Sequence, residues 1–351
     1  MTEMRELMID SATKILNDLS TKDVVNKAEE EAWSEQLWNT MAESGMTAVA
    51  VSEEHGGIGG DYGDALNILR VCGKYSAPIP IVETLLVNWL LSEKGKEPSE
   101  QPLTIMPIEQ KDEVTFTAAS GGMSVSGKIR KVPWARIAEA ILVIGKSENG
   151  YKMALVDSKQ CQIDHDQNLA GEPRDTVKIE SFVVNEGNYF SVNDPLLERM
   201  LYFGTLSKTV LMAGALERVL DLTIAYSTER KQFGRPISRF QAIQQHIAVM
   251  SAEVTAAAIA VDTAIESFTG EPSDDITVAK IRVSDAASIV TPIAHQVHGA
   301  IGFTDEHILH QSTRRLWSWR DEFGSESEWA ERLGEQIIQN GSEGLWSFIT
   351  N

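Results

Sequence analysis

The chain has 351 residues, a formal net charge of −20, 42 % hydrophobic and 23 % charged residues. That is too long for one small core, and the balance is that of a globular protein with more than one substructure. The acidic total argues against non-specific nucleic-acid binding, which needs clustered positive surface.

The first stretch, with Glu3, Glu6 and Asp10, is too acidic for a secretory signal or a transit peptide. Apolar runs such as "TLLVNWLL" at 84 to 91 fall well short of a membrane span of roughly 20 residues. Two cysteines in different regions, Cys72 and Cys161, suit neither a disulfide framework nor a metal site. These features lead us to expect a cytoplasmic protein with no membrane span and no metal.

Residues 1–97 read as helices. Trp33, Leu37 and Met41 recur every four residues on one face, and "EEHGGIGGDYGDALNIL" is a glycine-rich loop feeding a helix. Residues 98–192 read as a small β domain of short alternating runs, in which "VIGKSENGYKMALV" predicts a hairpin turned at Asn149-Gly150. Residues 193–351 return to helix. Phe240, Ile243, Ile247, Met250, Val254, Ala257 and Val261 form a 3,4-spaced bundle seam that we expect to need cover from another chain. The helix after Ser273, an expected N-cap, should kink at Pro292 and stop at Gly299. Ser325 and Glu328 form a capping box that opens the last helix.

Two segments carry the chemistry. "ERKQFGRPISRFQAIQQ" places Arg230, Lys231, Arg235 and Arg239 around a Phe233-Gly234 turn, with no acid from 230 to 239. Arginine forks suit a pyrophosphate, and the bland alternative is a solvated basic loop. "QVHGAIGFTDEHILHQSTRRLWSWRDEFG" ends one helix in a glycine turn and starts another. Taken together with "AVSEEHGGIGGDYGDAL", these stretches resemble the signatures of the acyl-CoA dehydrogenase family.

The resemblance implies a mainly α fold with a β insert: an N-terminal helical domain, a small middle β domain and a C-terminal four-helix bundle. It also implies FAD shared between subunits, an acyl-CoA substrate, an electron-transfer flavoprotein as acceptor, and a dimer or tetramer, homo- or hetero-oligomeric. By position, Arg230, Gln232, Phe233, Ile237, Phe240 and Ile243 match residues that reach a neighbour's FAD. Gln296, Val297, Gly299 and Ala300 match the adenine and pyrophosphate turn. Ser325 follows Gly324 where the family has a Gly-Thr pair beside the flavin.

The sequence departs from the family in one consequential way. The base that takes the α-proton sits either just before the Gly-Thr pair or in the first long bundle helix. Those positions are Phe323 and Gly204, and neither ionises. Glu322 or Asp321, next in line, would have to serve if the chain works alone. The substrate-facing Thr-Glu-Pro and Gly-Ser-Asp stretch of the β domain and the Asp-x-x-Arg pair are also missing. The readings that remain are a diverged dehydrogenase with an unusual base, a non-catalytic partner subunit, and a flavin oxidase or monooxygenase on the same fold. Trp317 and Trp319 would then be interface residues.

Overall fold

A computed structural model describes residues 3–51 and 53–350. Five helices come first: α1 Glu3–Leu19, α2 Lys22–Glu31, α3 Glu35–Glu43, α4 Tyr62–Lys74 and α5 Ile81–Glu93. Asp61 opens α4 with a capping box to Asp64. α5 is apolar all round and is buried from Ile81 to Leu90, Glu83 and Asn88 included.

Eight strands follow: β1 Leu103–Ile105, β2 Val114–Ala119, β3 Gly122–Pro133, β4 Ala140–Ser147, β5 Gly150–Asp157, β6 Gln162–Asp164, β7 Arg174–Asn185 and β8 Tyr189–Val192. They form one sheet in the order β6-β7-β3-β2-β4-β5-β8, with β1 parallel to β4. Val114 and Phe116 face inward while Thr115 and Thr117 face out, the two-residue period of a half-buried strand. The β4–β5 hairpin forms, with Ser147 opposite Gly150. The loop is therefore Glu148-Asn149, and Gly150 alone takes the positive φ, 91°.

The remaining chain is helical apart from a short hairpin, β9 Lys231–Gln232 with β10 Arg235–Pro236. The helices are α6 Asp194–Glu229, α7 Gln241–Ser267, α8 Asp274–His298, α9 Leu309–Trp319 and α10 Glu326–Thr350. Asn193 caps α6 by accepting from the Leu196 amide. α6 is the central rod, contacting α4, α5, α7, α8 and α9. It meets α4 through glycines, since a Cβ on Gly73 or Gly214 would overlap the carbonyl oxygen of Leu211 or Arg70 respectively.

Several local expectations need correction. Ser273 stands at the N-cap of α8, but its buried hydroxyl makes no cap bond and has no partner among the described residues. Pro292 lies within an α8 that runs through to His298 and stops at Gly299, φ 67°. Part of the seam does not wait for another chain: Met250, Val254, Ala257 and Val261 are buried within this one, while Phe240, Ile243 and Ile247 are half-buried. Trp319 is 3 % exposed, and Trp317 donates to Thr291 Oγ1 at 2.9 Å, so neither is an open interface residue. Cover is lacking elsewhere, at Val249 and Ile259 of α7, Ile289 of α8, and Phe303. α7 has the length and apolar composition to cross a membrane, with a mean hydropathy of 1.5 in its best window. Its Met250–Ile265 stripe is packed into the bundle instead.

Candidate functional site

The two positions that the resemblance marks for a base, Gly204 and Phe323, meet in space. A Cβ on Gly204 of α6 would overlap Cε1, Cδ1 and Cζ of the Phe323 ring. Phe323 holds a left-handed backbone, φ 56°, which a bulky residue adopts only under constraint. The constraint is visible: the Phe323 carbonyl accepts from Trp329 Nε1 at 3.0 Å and from Thr205 Oγ1 at 3.2 Å. Lys280 of α8, fully buried, donates to the carbonyls of Arg320 at 2.8 Å and Glu322 at 3.1 Å. Burial pushes its ammonium down to about 8, against the pull of Glu322 and Asp321. The capping box closes the loop, Ser325 N donating to Glu328 Oε2 at 2.7 Å and Glu328 N to Ser325 Oγ at 3.4 Å.

Next to this loop lies a buried ionic network that sequence reasoning missed. Glu322 is bound by Arg174 of β7, whose Nε donates to it at 2.9 Å and whose Nη2 is closer still. Its other oxygen pairs with Lys208 of α6 at 3.0 Å, and Lys208 pairs with Glu83 of α5 at 2.9 Å. Arg174 reaches Glu172 at 3.2 Å; Glu172 also accepts from Trp319 Nε1 at 2.9 Å and lies 3.3 Å from Arg315. Burial alone would raise the Glu322 carboxyl, but Arg174 and Lys208 outweigh it and hold it down at about 2. The carboxylate expected to serve as base if the chain works alone is thus paired with two cations, which disfavour its taking a proton. Asp321 is exposed. A signal for the network did exist: Glu83 and Lys208 are lone charges in the apolar runs "PIPIVETLLVNWLL" and "TLSKTVLMAGAL".

The second constellation is a cationic edge. Arg230, Lys231, Gln232 and Arg235 are exposed on the β9–β10 hairpin, and Phe233 at its tip is 93 % exposed with φ 52°. Among the described residues, no ion pair is formed by Arg230, Lys231, Arg235 or Arg239. Arg235 lies over the Phe240 ring at 4.3 Å. Ile237, Phe240 and Ile243 are half-buried behind the hairpin. Gln296, Gly299 and Ala300 are exposed at the end of α8, and Val297 is buried beneath them. α6 links the two segments: Tyr226, one turn before Arg230, stacks on His298 with centroids 4.4 Å apart and donates to its carbonyl at 3.2 Å. Unpaired guanidinium groups, an open glycine turn and an exposed ring are the donor set that a dinucleotide pyrophosphate with its adenosine would need. The residues therefore fit FAD. Ser325 belongs to the Phe323 loop rather than to this edge.

Below the edge lies a cluster of imidazoles: His307 meets both Tyr226 and His298 edge-on. Ala294 O can only accept, so His298 Nδ1 donates to it; among the described residues buried Nε2 makes no hydrogen bond of good geometry. Burial, with His298 and His310 nearby, pushes His307 down to about 4.

Residues 2–102 match the family model for the acyl-CoA dehydrogenase N-terminal domain, and residues 196–326 match that for its C-terminal domain. The chain belongs to the acyl-CoA dehydrogenase family. It is 26 % identical over 344 residues to acyl-CoA dehydrogenase IpdE2 of Mycolicibacterium smegmatis, covering 96 % of this chain and 100 % of that one. It is 25 % identical over 349 residues to the caffeyl-CoA reductase-Etf complex subunit CarC of Acetobacterium woodii, covering 89 % and 91 %. The fold matches the ChsE4-ChsE5 complex from Mycobacterium tuberculosis with a TM-score of 0.88 at 21 % identity, covering 96 % and 98 %. Membership in the acyl-CoA dehydrogenase family makes the chain part of an oxidoreductase family and implies FAD. It also bears out the fold: helices, a β insert, then a helical bundle.

Proposed function

We propose that this chain is one subunit of an FAD-dependent acyl-CoA dehydrogenase, acting with a sister chain that supplies the base. The single observation that carries this is the Phe323 ring lying on Gly204, which fills both positions from which a base would act. The neighbouring Glu322 is neutralised by Arg174 and Lys208 rather than left to abstract a proton. That favours the partner-subunit reading over a self-sufficient enzyme with Glu322 as base.

In this reading the residues of the chain bind and orient. Arg230 would neutralise the pyrophosphate of an FAD shared across the interface, Phe233 would cover the adenosine, and Gln296 with the Gly299-Ala300 turn would meet the adenine end. FAD supplies the hydride acceptor when bound. The sister chain removes the α-proton. An electron-transfer flavoprotein as acceptor is favoured by the name of the Acetobacterium relative's complex. The location is cytoplasmic. An oligomeric state beyond the monomer is favoured by the exposed apolar residues Val249, Ile259, Ile289 and Phe303 along the bundle.

The test is to express the chain alone and with a longer dehydrogenase chain that has glutamate before its Gly-Thr pair. Mass by light scattering and flavin per chain are measured on each sample. A flavin-poor chain alone and a flavin-bearing hetero-oligomer together support the proposal. A homo-oligomer with one FAD per chain contradicts it.

A further inference from the structure

The charged network beside Phe323 has a consequence for ligand binding. If either usual base position is to reach a thioester, the acyl group has to lie against the Gly204–Phe323 contact. Lys208 stands one turn on from Gly204 in α6 and Glu322 adjoins Phe323, and the two pair with each other, with Glu83 of α5 and with Arg174 of β7. We propose that these four side chains form a plug, so that no acyl group enters against the Gly204–Phe323 contact of this chain and the acyl group of the substrate is held by the sister chain. The proposal rests on the family reading above and deepens it.

Three observations carry it. First, the charges close on themselves: the acids Glu83, Glu172 and Glu322 face the cations Arg174, Lys208 and Arg315. No member can move aside for an apolar chain without leaving a buried charge unpaired, and an acyl chain offers no replacement partner. Second, the network is deep. Glu83, Lys208 and Glu172 are each no more than 3 % exposed, and Glu322 is the most accessible at 21 % of its side chain. Third, the loop is pinned through its backbone as well as its side chains. Lys280 holds the carbonyls of Arg320 and Glu322, and Thr205 and Trp329 hold that of Phe323. Moving Glu322 out would therefore require breaking main-chain contacts to α6, α8 and α10. A cation-lined pocket waiting for a substrate carboxylate would instead show unpaired guanidinium or ammonium groups, and Arg174 and Lys208 have their carboxylates.

The experiment is photolabelling with an octanoyl-CoA bearing a diazirine at the end of its chain. It is applied to this chain alone and in complex with the sister chain, and labelled residues are mapped by peptide mass spectrometry. The expected result is no label at 81–93, 200–209 or 320–324 that excess unlabelled octanoyl-CoA competes away. Competed label in those segments of the wild-type chain overturns the proposal, whether or not the complex turns over. Two variants, checked for folding by circular dichroism, test the charges as the cause. Phe323→Ala, which keeps every charge, should stay unlabelled. The same change with Glu83→Leu and Lys208→Met should raise competed labelling at least tenfold. A tenfold rise from Phe323→Ala alone, or none in a folded triple variant, overturns the charged plug. Failure of the subunit reading would appear separately, as a flavin-free, inactive complex.

Discussion

Phe323 lies with its ring against the Cα of Gly204, although 118 residues separate the Phe323 carbonyl from its α6 partner Thr205. Neither residue makes sense alone. A left-handed phenylalanine is costly, and a glycine inside a 36-residue helix gives up helix propensity, roughly 1 kcal/mol against alanine. Together they form one packing unit. Gly204→Ala should therefore destabilise the chain by about 1–3 kcal/mol despite its better propensity. Adding Phe323→Ala should make the alanine at 204 harmless. Urea unfolding of the two variants and of Phe323→Ala alone reads this, and a neutral or stabilising Gly204→Ala would break the account.

Lys208 faces both Glu83 and Glu322 in the interior. Lys208→Met leaves two buried carboxylates short of a partner and should cost about 3–5 kcal/mol. Combining it with Glu83→Leu should recover part of that loss, because a buried pair removed whole costs less than one broken. If the single and double variants unfold at the same urea concentration, the network is not coupled as described.

Acid should weaken the fold in two windows. Burial holds His307 near 4, below its ordinary 6.5, so the unfolded chain binds more protons between those values and stability falls as pH drops through them. His295 and His298 shift in the same direction. Glu322, held at about 2 against an ordinary 4.5, contributes stability above pH 4.5 that is lost on going down towards 2. Urea midpoints at pH 7, 5.5 and 4.5 should decline steadily, with His307→Phe flattening the first window. A wild-type midpoint that does not change from pH 7 to 4.5 would contradict the charge assignments.

Arg230 should matter for flavin and not for folding. Its side chain is exposed and forms no ion pair among the described residues, so Arg230→Ala should leave the urea midpoint unchanged. Losing a charge-assisted bond to phosphate should weaken FAD retention in the complex by about 1.5–3 kcal/mol. Equal FAD affinity in wild type and variant, measured by titration, removes Arg230 from the site.

The architecture was legible because local rules carry it. Two-residue alternation marked β2, Ser325 with Glu328 marked the start of α10, and Gly299 marked the end of α8. The cationic edge was legible because Arg230 to Arg239 are contiguous. The ionic network was not, because its members come from distant parts of the chain: Lys208 and Glu83 are 125 residues apart, and Glu322 and Arg174 are 148 apart. Only the isolation of Glu83 and Lys208 within apolar runs hinted that each needed a buried partner. The bundle seam was read correctly as apolar, but its part from Met250 to Val261 finds its cover within this chain. Spacing marks the face to be buried, and only the packing shows that α7 turns Met250 and Val254 to its own bundle and Ile259 outward.

The central claim is that this chain completes a flavin site without providing the base. The most direct measurement is anaerobic flavin bleaching by an acyl-CoA. It is followed by absorbance for this chain with FAD alone and for its complex with a sister chain carrying the usual glutamate. The account predicts no bleaching by the chain alone, bleaching by the complex, and loss of that bleaching when the sister chain's glutamate becomes glutamine. Rapid bleaching by this chain alone, abolished by Glu322→Gln in a protein that keeps its fold and its FAD, would contradict it.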